Sequence, residues 1–378
     1  MRTWAICALG IAIMAVAASH RTGDADDFRQ FYRAATLAQA HQSVFAHPGF
    51  SPDTNTDGAY LPFNRIPSYA EVLRPLASLP YPAARRVWIG LIALAFLGCL
   101  WLSPIRRDRF AMALAFSFPV AMSFALGQDI AFILLIVLAT ARIYATQREF
   151  LAGLLASLLA IKFTWLPAVG LVFLAKSRRG TAGLALGIAV QLAVCFAAGG
   201  IGWPGEYLAS LRRSNLIFEA QGMPNIRGVA ASLGLPDGVW VLGTVIVLIW
   251  LYRLCGRLSF TDALVVALAL GLIASPYGFL YDAVALLPLV AALASLDSWD
   301  GWLASAALTP APWLLLMTDG SLTVLAGSVL AVASAVGGTT RLTRLVTSGR
   351  DPRTASVPLH SDPTPRSSPF LLYSRQQD

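Results

Sequence analysis

Apolar residues run along this chain in long blocks, parted by short polar turns. The blocks fall at about 3–19, 84–103, 110–126, 128–144, 150–161, 163–175, 181–200, 238–254, 260–275, 279–296, 300–317 and 321–338. About 20 apolar residues in a helix cross a bilayer. The pattern therefore predicts an all-α integral-membrane protein, a polytopic helical bundle of about 12 spans. Blocks 110–144 and 150–175 each read either as two short helices or as one longer helix with a break. A segment as short as 150–161 cannot cross alone and fits a half-span buried inside the bundle.

Composition sharpens this picture. Of 378 residues, 57% are hydrophobic and only 13% charged, where soluble domains carry about 25% charged residues. The mean hydropathy is +0.65. Cytosolic enzymes and disordered chains are excluded. The net charge of +8 could suggest nucleic acid, but the arginines lie between apolar runs, where orientation signals belong. Nucleic acid is therefore not an expected partner, and membrane lipids are. Cys7, Cys99, Cys195 and Cys255 occupy four different apolar runs with no CxxC spacing, so packing residues are expected rather than a disulfide or metal site.

Charge also orients the chain. With the N-terminus in the cytoplasm, the short inner loops carry Arg106, Arg107, Arg109, Arg142, Arg148, Lys176, Arg178, Arg179, Arg253 and Arg257. The short outer loops hold almost none, apart from Lys162. This bias predicts cytoplasmic N- and C-termini in a multi-pass plasma-membrane protein. Ala15–Ser19 resembles a signal-peptide cleavage site, but the length of its run favours a retained span. Residues 1–340 form the expected membrane domain, and 341–378, rich in Pro, Ser and Arg, a disordered cytoplasmic tail. Two long loops, 20–83 and 201–237, face outward. Phe28, Phe31, Tyr32, Ala35 and Ala38 recur at helical spacing and predict a helix over 27–40 resting on the membrane surface. Tyr207, Leu208, Leu211 and Phe218 mark the expected apolar side of a second helix, 206–220.

Candidate chemistry gathers on this outer side. Asp24, Asp26 and Asp27 follow the first span. Their plain reading is helix capping, while a partly desolvated carboxylate there also suits general-base work. Asp27 is the best placed, and Asp26 points about 100° away on a helix. Lys162 lies among apolar residues. It reads either as a snorkelling lysine or as a point charge for a lipid-linked phosphate. Gly127-Gln128-Asp129 is a tight turn whose Gln128 could line a polar cavity. Tyr281 and Asp282 follow another outer turn, and Asp282 should face the protein interior. Arg227 is a candidate second phosphate contact; Arg65, Arg74, Arg85 and Arg86 are weaker ones. Walker A, GxGxxG, HExxH and GxSxG motifs are all missing, as expected if the donor is carried by a lipid.

The stretch Asp27-Phe28-Arg29-Gln30-Phe31-Tyr32-Arg33-Ala34-Ala35 is followed by Tyr60-Leu61-Pro62-Phe63, Arg74-Pro75-Leu76 and Trp88. Gly127-Gln128, Ile161-Lys162, Ser275-Pro276-Tyr277 and Tyr281-Asp282 complete the order. Over about residues 24 to 290 this resembles glycosyltransferase family 87, a group of the GT-C superfamily. The resemblance implies a membrane enzyme with an extracytoplasmic site. The donor would be a polyprenyl-phosphate sugar, commonly mannose, and the acceptor a lipid or glycan. Asp27, with Asp26 as the near alternative, corresponds to the family's catalytic base, and Lys162 to its phosphate-side lysine. Inversion at the sugar is implied. No cofactor is expected, and no divalent metal if Lys162 and Arg227 neutralise the leaving phosphate; Asp24, Asp26 and Asp129 could otherwise supply ligands. A transporter or flippase of a lipid-linked sugar, or a non-catalytic scaffold, are the competing readings.

Overall fold

The computed structural model describes residues 2–19, 27–45, 62–103, 107–217, 220–293 and 320–347, with isolated positions between 314 and 318. Every regular element within them is helical. Five helical stretches are long and apolar enough to cross a bilayer: Tyr81–Leu102, Glu149–Lys176, Arg178–Gly199, Asp237–Cys255 and Leu322–Arg344. Ala5–Ser19, Ile130–Ala145, Phe260–Ala274 and Leu280–Ala291 are shorter apolar helices. The expected span 300–317 lies outside the described residues except for Leu314 and Leu315. Block 110–126 is two helices, α5 (Arg107–Phe116) and α6 (Phe118–Leu126). They part at Ser117, whose backbone is extended, because Pro119 brings no N–H to continue the ladder.

The stretch Glu149–Lys176 is not one straight crossing. As a straight helix its 28 residues would separate its ends by about 42 Å. Instead Ser177 Oγ donates to Glu149 Oε2 at 2.6 Å. The chain rises through α8 (Glu149–Ala156) and a 3-10 segment, Ser157–Trp165, then returns through α9 (Leu166–Lys176). Both legs pack on α10 (Arg178–Gly199), α8 parallel to it and α9 antiparallel. Glycine permits this closeness. A Cβ on Gly153 would strike the carbonyl of Gly180, and one on Gly183 the carbonyl of Phe150. Small residues serve membrane helices in this way, because backbones must touch for dispersion to hold them together. The hairpin tip is Lys162, whose φ of −128° and ψ of 80° break the helix.

The bundle has two chemically distinct ends. Around the base of the hairpin, Tyr144 of α7 (Ile130–Ala145) stacks on Phe260 of α14 (Phe260–Ala274), rings 3.5 Å apart. Phe173 of α9 meets Phe260 as well. Arg142, Arg148, Lys176, Arg178, Arg179, Arg253 and Arg257 flank these contacts in sequence. The opposite end holds the hairpin tip, the α6–α7 turn and the segment after α14. Irregular backbone at membrane depth is tolerated only where protein or a cavity surrounds it, and all three breaks are buried together there.

Outside the spans the sequence pattern holds in part. α2 (Phe28–Gln39) buries Phe28, Phe31, Ala35 and Ala38 as expected. That face is covered by protein rather than by lipid. It packs on α3 (Pro67–Ala77) and on the start of α4 (Tyr81–Leu102), with Phe28 5.5 Å from Trp88 and Phe31 5.7 Å from Tyr69. Arg85 and Arg86 lie inside α4, not in a loop, and Arg85 donates to the carbonyl of Ala18 in α1 (Arg2–Ser19). α11 (Trp203–Ile217) turns the expected Tyr207 and Leu211 toward the protein but not Leu208. Ser210 is buried against Phe63 O, 2.7 Å away, while Leu208 is 56% exposed. Phe218 lies outside the described residues. α12 (Ile226–Ser232) and α13 (Asp237–Cys255) follow. A 3-10 segment, Leu280–Leu286, leads into α15 (Leu287–Leu293). The last helix, α16 (Ser321–Thr347), runs past the expected boundary at 340, because Leu342 and Thr343 are buried.

Candidate active site

Gly127 ends α6 with a left-handed φ of 67° and turns the chain so that Gln128 and Asp129 point into protein. Asp129 sits where an N-cap of α7 belongs, yet its side chain caps nothing there. Its carboxylate instead accepts Arg65 Nε at 2.8 Å and Arg65 Nη2 at 3.0 Å. Such a forked pair is the strongest geometry available to arginine. Arg65 arrives on the segment before α3, and its guanidinium lies 5.4 Å over the Phe31 ring. Burial opposes the Arg65 charge, but Asp129 outweighs that and raises its proton affinity.

Asp27 occupies the corresponding place before α2 and likewise makes no side-chain cap. Its Oδ2 accepts the side-chain amide of Gln128. At the hairpin tip, Lys162 Nζ donates to Asp282 Oδ1. It also lies 5.1 Å from the Tyr281 ring centroid and 5.3 Å from that of Trp165. The second oxygen of Asp282 accepts the Phe279 N–H at 3.0 Å. Tyr281 joins the two halves, within electrostatic reach of Asp27, Asp282, Arg65 and Asp129.

Asp27, Gln128, Lys162, Tyr281 and Asp282 thus converge, although 255 positions separate the first from the last. Arg65 and Asp129 belong with them, and their pairing carries no sequence signature. Arg227 donates to Pro276 O at 2.9 Å, and its guanidinium lies 5.2 Å from the centroid of the Tyr277 ring. Asp26 lies outside the described residues.

Arg65, Lys162, Thr164, Tyr277, Tyr281 and Asp282 are among the side chains lining a cleft of about 30 Å³, which is room for roughly one water molecule. Its charged side chains pair, Lys162 with Asp282 and Arg65 with Asp129. Thr164 Oγ1 in its wall, and Gln128 Oε1 nearby, meet no hydrogen-bond partner among the described residues. Each such buried group costs about 1–3 kcal/mol, which a polar ligand would recover. The cluster offers carboxylates for proton transfer and cations for an anion; Arg65, Asp129, Lys162 and Asp282 are buried and Asp27 is half-buried.

The chain matches the family model described as glycosyltransferase family 87 over residues 67–276. The chain belongs to this family. A family 87 protein is a membrane glycosyltransferase, with a sugar donor and an acceptor as its substrates. The match is narrower than the resemblance in the sequence. It takes in Gln128, Asp129, Lys162 and Arg227 of this glycosyltransferase, while Asp27, Arg65, Tyr281 and Asp282 fall outside it. No curated protein and no solved structure matches the chain.

Proposed function

We propose that this glycosyltransferase moves a sugar, mannose in the first instance, from a polyprenyl-phosphate donor to a lipid or glycan acceptor. Asp27 acts as general base and takes the acceptor hydroxyl proton. The acceptor oxygen then bonds to the anomeric carbon from the face opposite the phosphate. The carbon–oxygen bond to the phosphate breaks, its electron pair leaves with polyprenyl phosphate, and the sugar inverts. Lys162 and Arg65 offset the developing phosphate charge, so the reading asks for no divalent metal.

The observation that carries this reading is the placement of Asp27. Its carboxylate stands at a helix start but is held by Gln128 instead of capping that helix. A charge spent on capping would be structural; this one lies within electrostatic reach of Tyr281, which lines the cleft. A cleft of this size requires a widening step, in which the donor phosphate replaces Asp282 on Lys162. Arg227 supports the Tyr277 wall rather than meeting phosphate. The basic end of the bundle supports a site on the extracytoplasmic face of the plasma membrane, with both termini cytoplasmic, because positive loops stay inside.

The test is transfer by purified protein in sealed liposomes holding radiolabelled polyprenyl-phosphate-mannose and a lipid extract as acceptor. Label should appear in product, unaffected by EDTA. Loss of transfer on chelation would bring a metal into the mechanism. Label that crosses the bilayer without transfer would favour a flippase.

A further inference from the structure

A second cavity lies outside the cleft, where the end of α2, α3, the last turn of α10 and the start of α11 meet. Its volume is about 430 Å³, within the range of small-ligand sites. One side is polar: His41, Glu71, Arg74 and Glu206. The other is apolar, formed by Val194, Ala197 and Ala198 of the membrane-spanning α10. Trp203 lines it too, 6% exposed, and its indole N–H meets no acceptor among the described residues.

The donor and acceptor set selects a ligand class. A buried N–H needs an acceptor, and carboxylates need donors. Arg74 partly occupies Glu71 at 2.9 Å, and the Ser43 hydroxyl donates to Glu206. Each carboxylate keeps further lone pairs to offer. Only a group that both gives and takes hydrogen bonds satisfies both kinds of site, and a hydroxyl does so. Two carboxylates beside one guanidinium also disfavour a phosphate. The apolar α10 wall suits an attached alkyl chain.

We propose that this cavity binds the hydroxyl-rich glycan head of a membrane-anchored acceptor. The assignment deepens the reading above and rests on its acceptor being a glycan, not on the identity of the donor. Aromatic side chains run between the two spaces. Phe45, in the cavity wall, lies 5.7 Å from Tyr207, and Tyr207 lies 6.2 Å from Phe163, in the cleft wall. Asp27 stands at the other end of α2, whose 12 residues rise about 18 Å. The cavity therefore holds sugar units remote from the hydroxyl that reacts, and their binding orients it.

The test is photolabelling of the full chain in nanodiscs with a diazirine-tagged alkyl disaccharide, mapped by mass spectrometry. Label is expected on residues 38–45 and 194–206. Trp203→Phe keeps an aromatic side chain, smaller than the indole, and removes the N–H, and Glu206→Gln removes a charge. Each should cut labelling about threefold to tenfold, the loss of one hydrogen bond. Competition by the free disaccharide at equal potency would assign recognition to the head alone; weaker competition would add the α10 wall. Label spread along the lipid-facing helices, concentrated at 162–164 and 277–282, or unchanged in both folded variants would overturn the proposal. Labelling needs no donor, so it stands or falls apart from the transfer assay.

Discussion

The two ends of this bundle solve the same problem differently. At the basic end, helices start on serines that cap them. Ser177 Oγ accepts the Gly180 N–H at 2.8 Å, and Ser259 Oγ accepts that of Asp262 at 3.1 Å. At the other end, Asp27 and Asp129 stand at helix starts and cap nothing. Their carboxylates turn instead to Gln128 and Arg65. The two serines at the first end are accounted for by helix termination. At the second end Asn225 also caps its helix, accepting the Gly228 N–H at 2.8 Å. The contrast is therefore confined to Asp27 and Asp129, whose carboxylates join the polar cluster instead. Charge gathered in that way within a membrane protein marks a candidate site.

The sharpest way to break this contrast is to collapse the hairpin that carries Lys162. Gly153→Val should remove most folded protein on size-exclusion chromatography, because its side chain meets the backbone of Gly180. A native profile would mean that α8 does not touch α10 as described. Next in size is Arg65→Met, which strands the buried Asp129 charge and should cost about 3–5 kcal/mol in thermal unfolding. Adding Asp129→Leu should restore most of that stability but not sugar transfer, because only the charge balance is repaired. At the basic end, Ser177→Ala should cost only about 1 kcal/mol, with transfer per folded molecule unchanged. Lost activity there would erase the distinction between the ends.

Much of this was legible beforehand, and the gaps have physical causes. Lys162 and Asp282 stood out singly because charges are rare among apolar residues, but no periodicity pairs positions 120 apart. Arg65 looked like an ordinary headgroup-level arginine, since only the folded chain brings Asp129 to it. The 150–175 ambiguity could have been narrowed: Gly153, Gly180, Gly183 and Gly187 mark helix faces that must touch. The inward face of α11 was misjudged at Leu208, because a hydrophobic side chain near a bilayer can face lipid as readily as protein.

The central claim, that Asp27 serves chemistry and not helix capping, is tested most directly by measuring sugar transfer and melting temperature together in Asp27→Asn. The account predicts transfer lowered about 10²–10⁴-fold with the melting temperature unchanged. A folded variant that transfers sugar at the wild-type rate would contradict it, and so would a parallel fall in both.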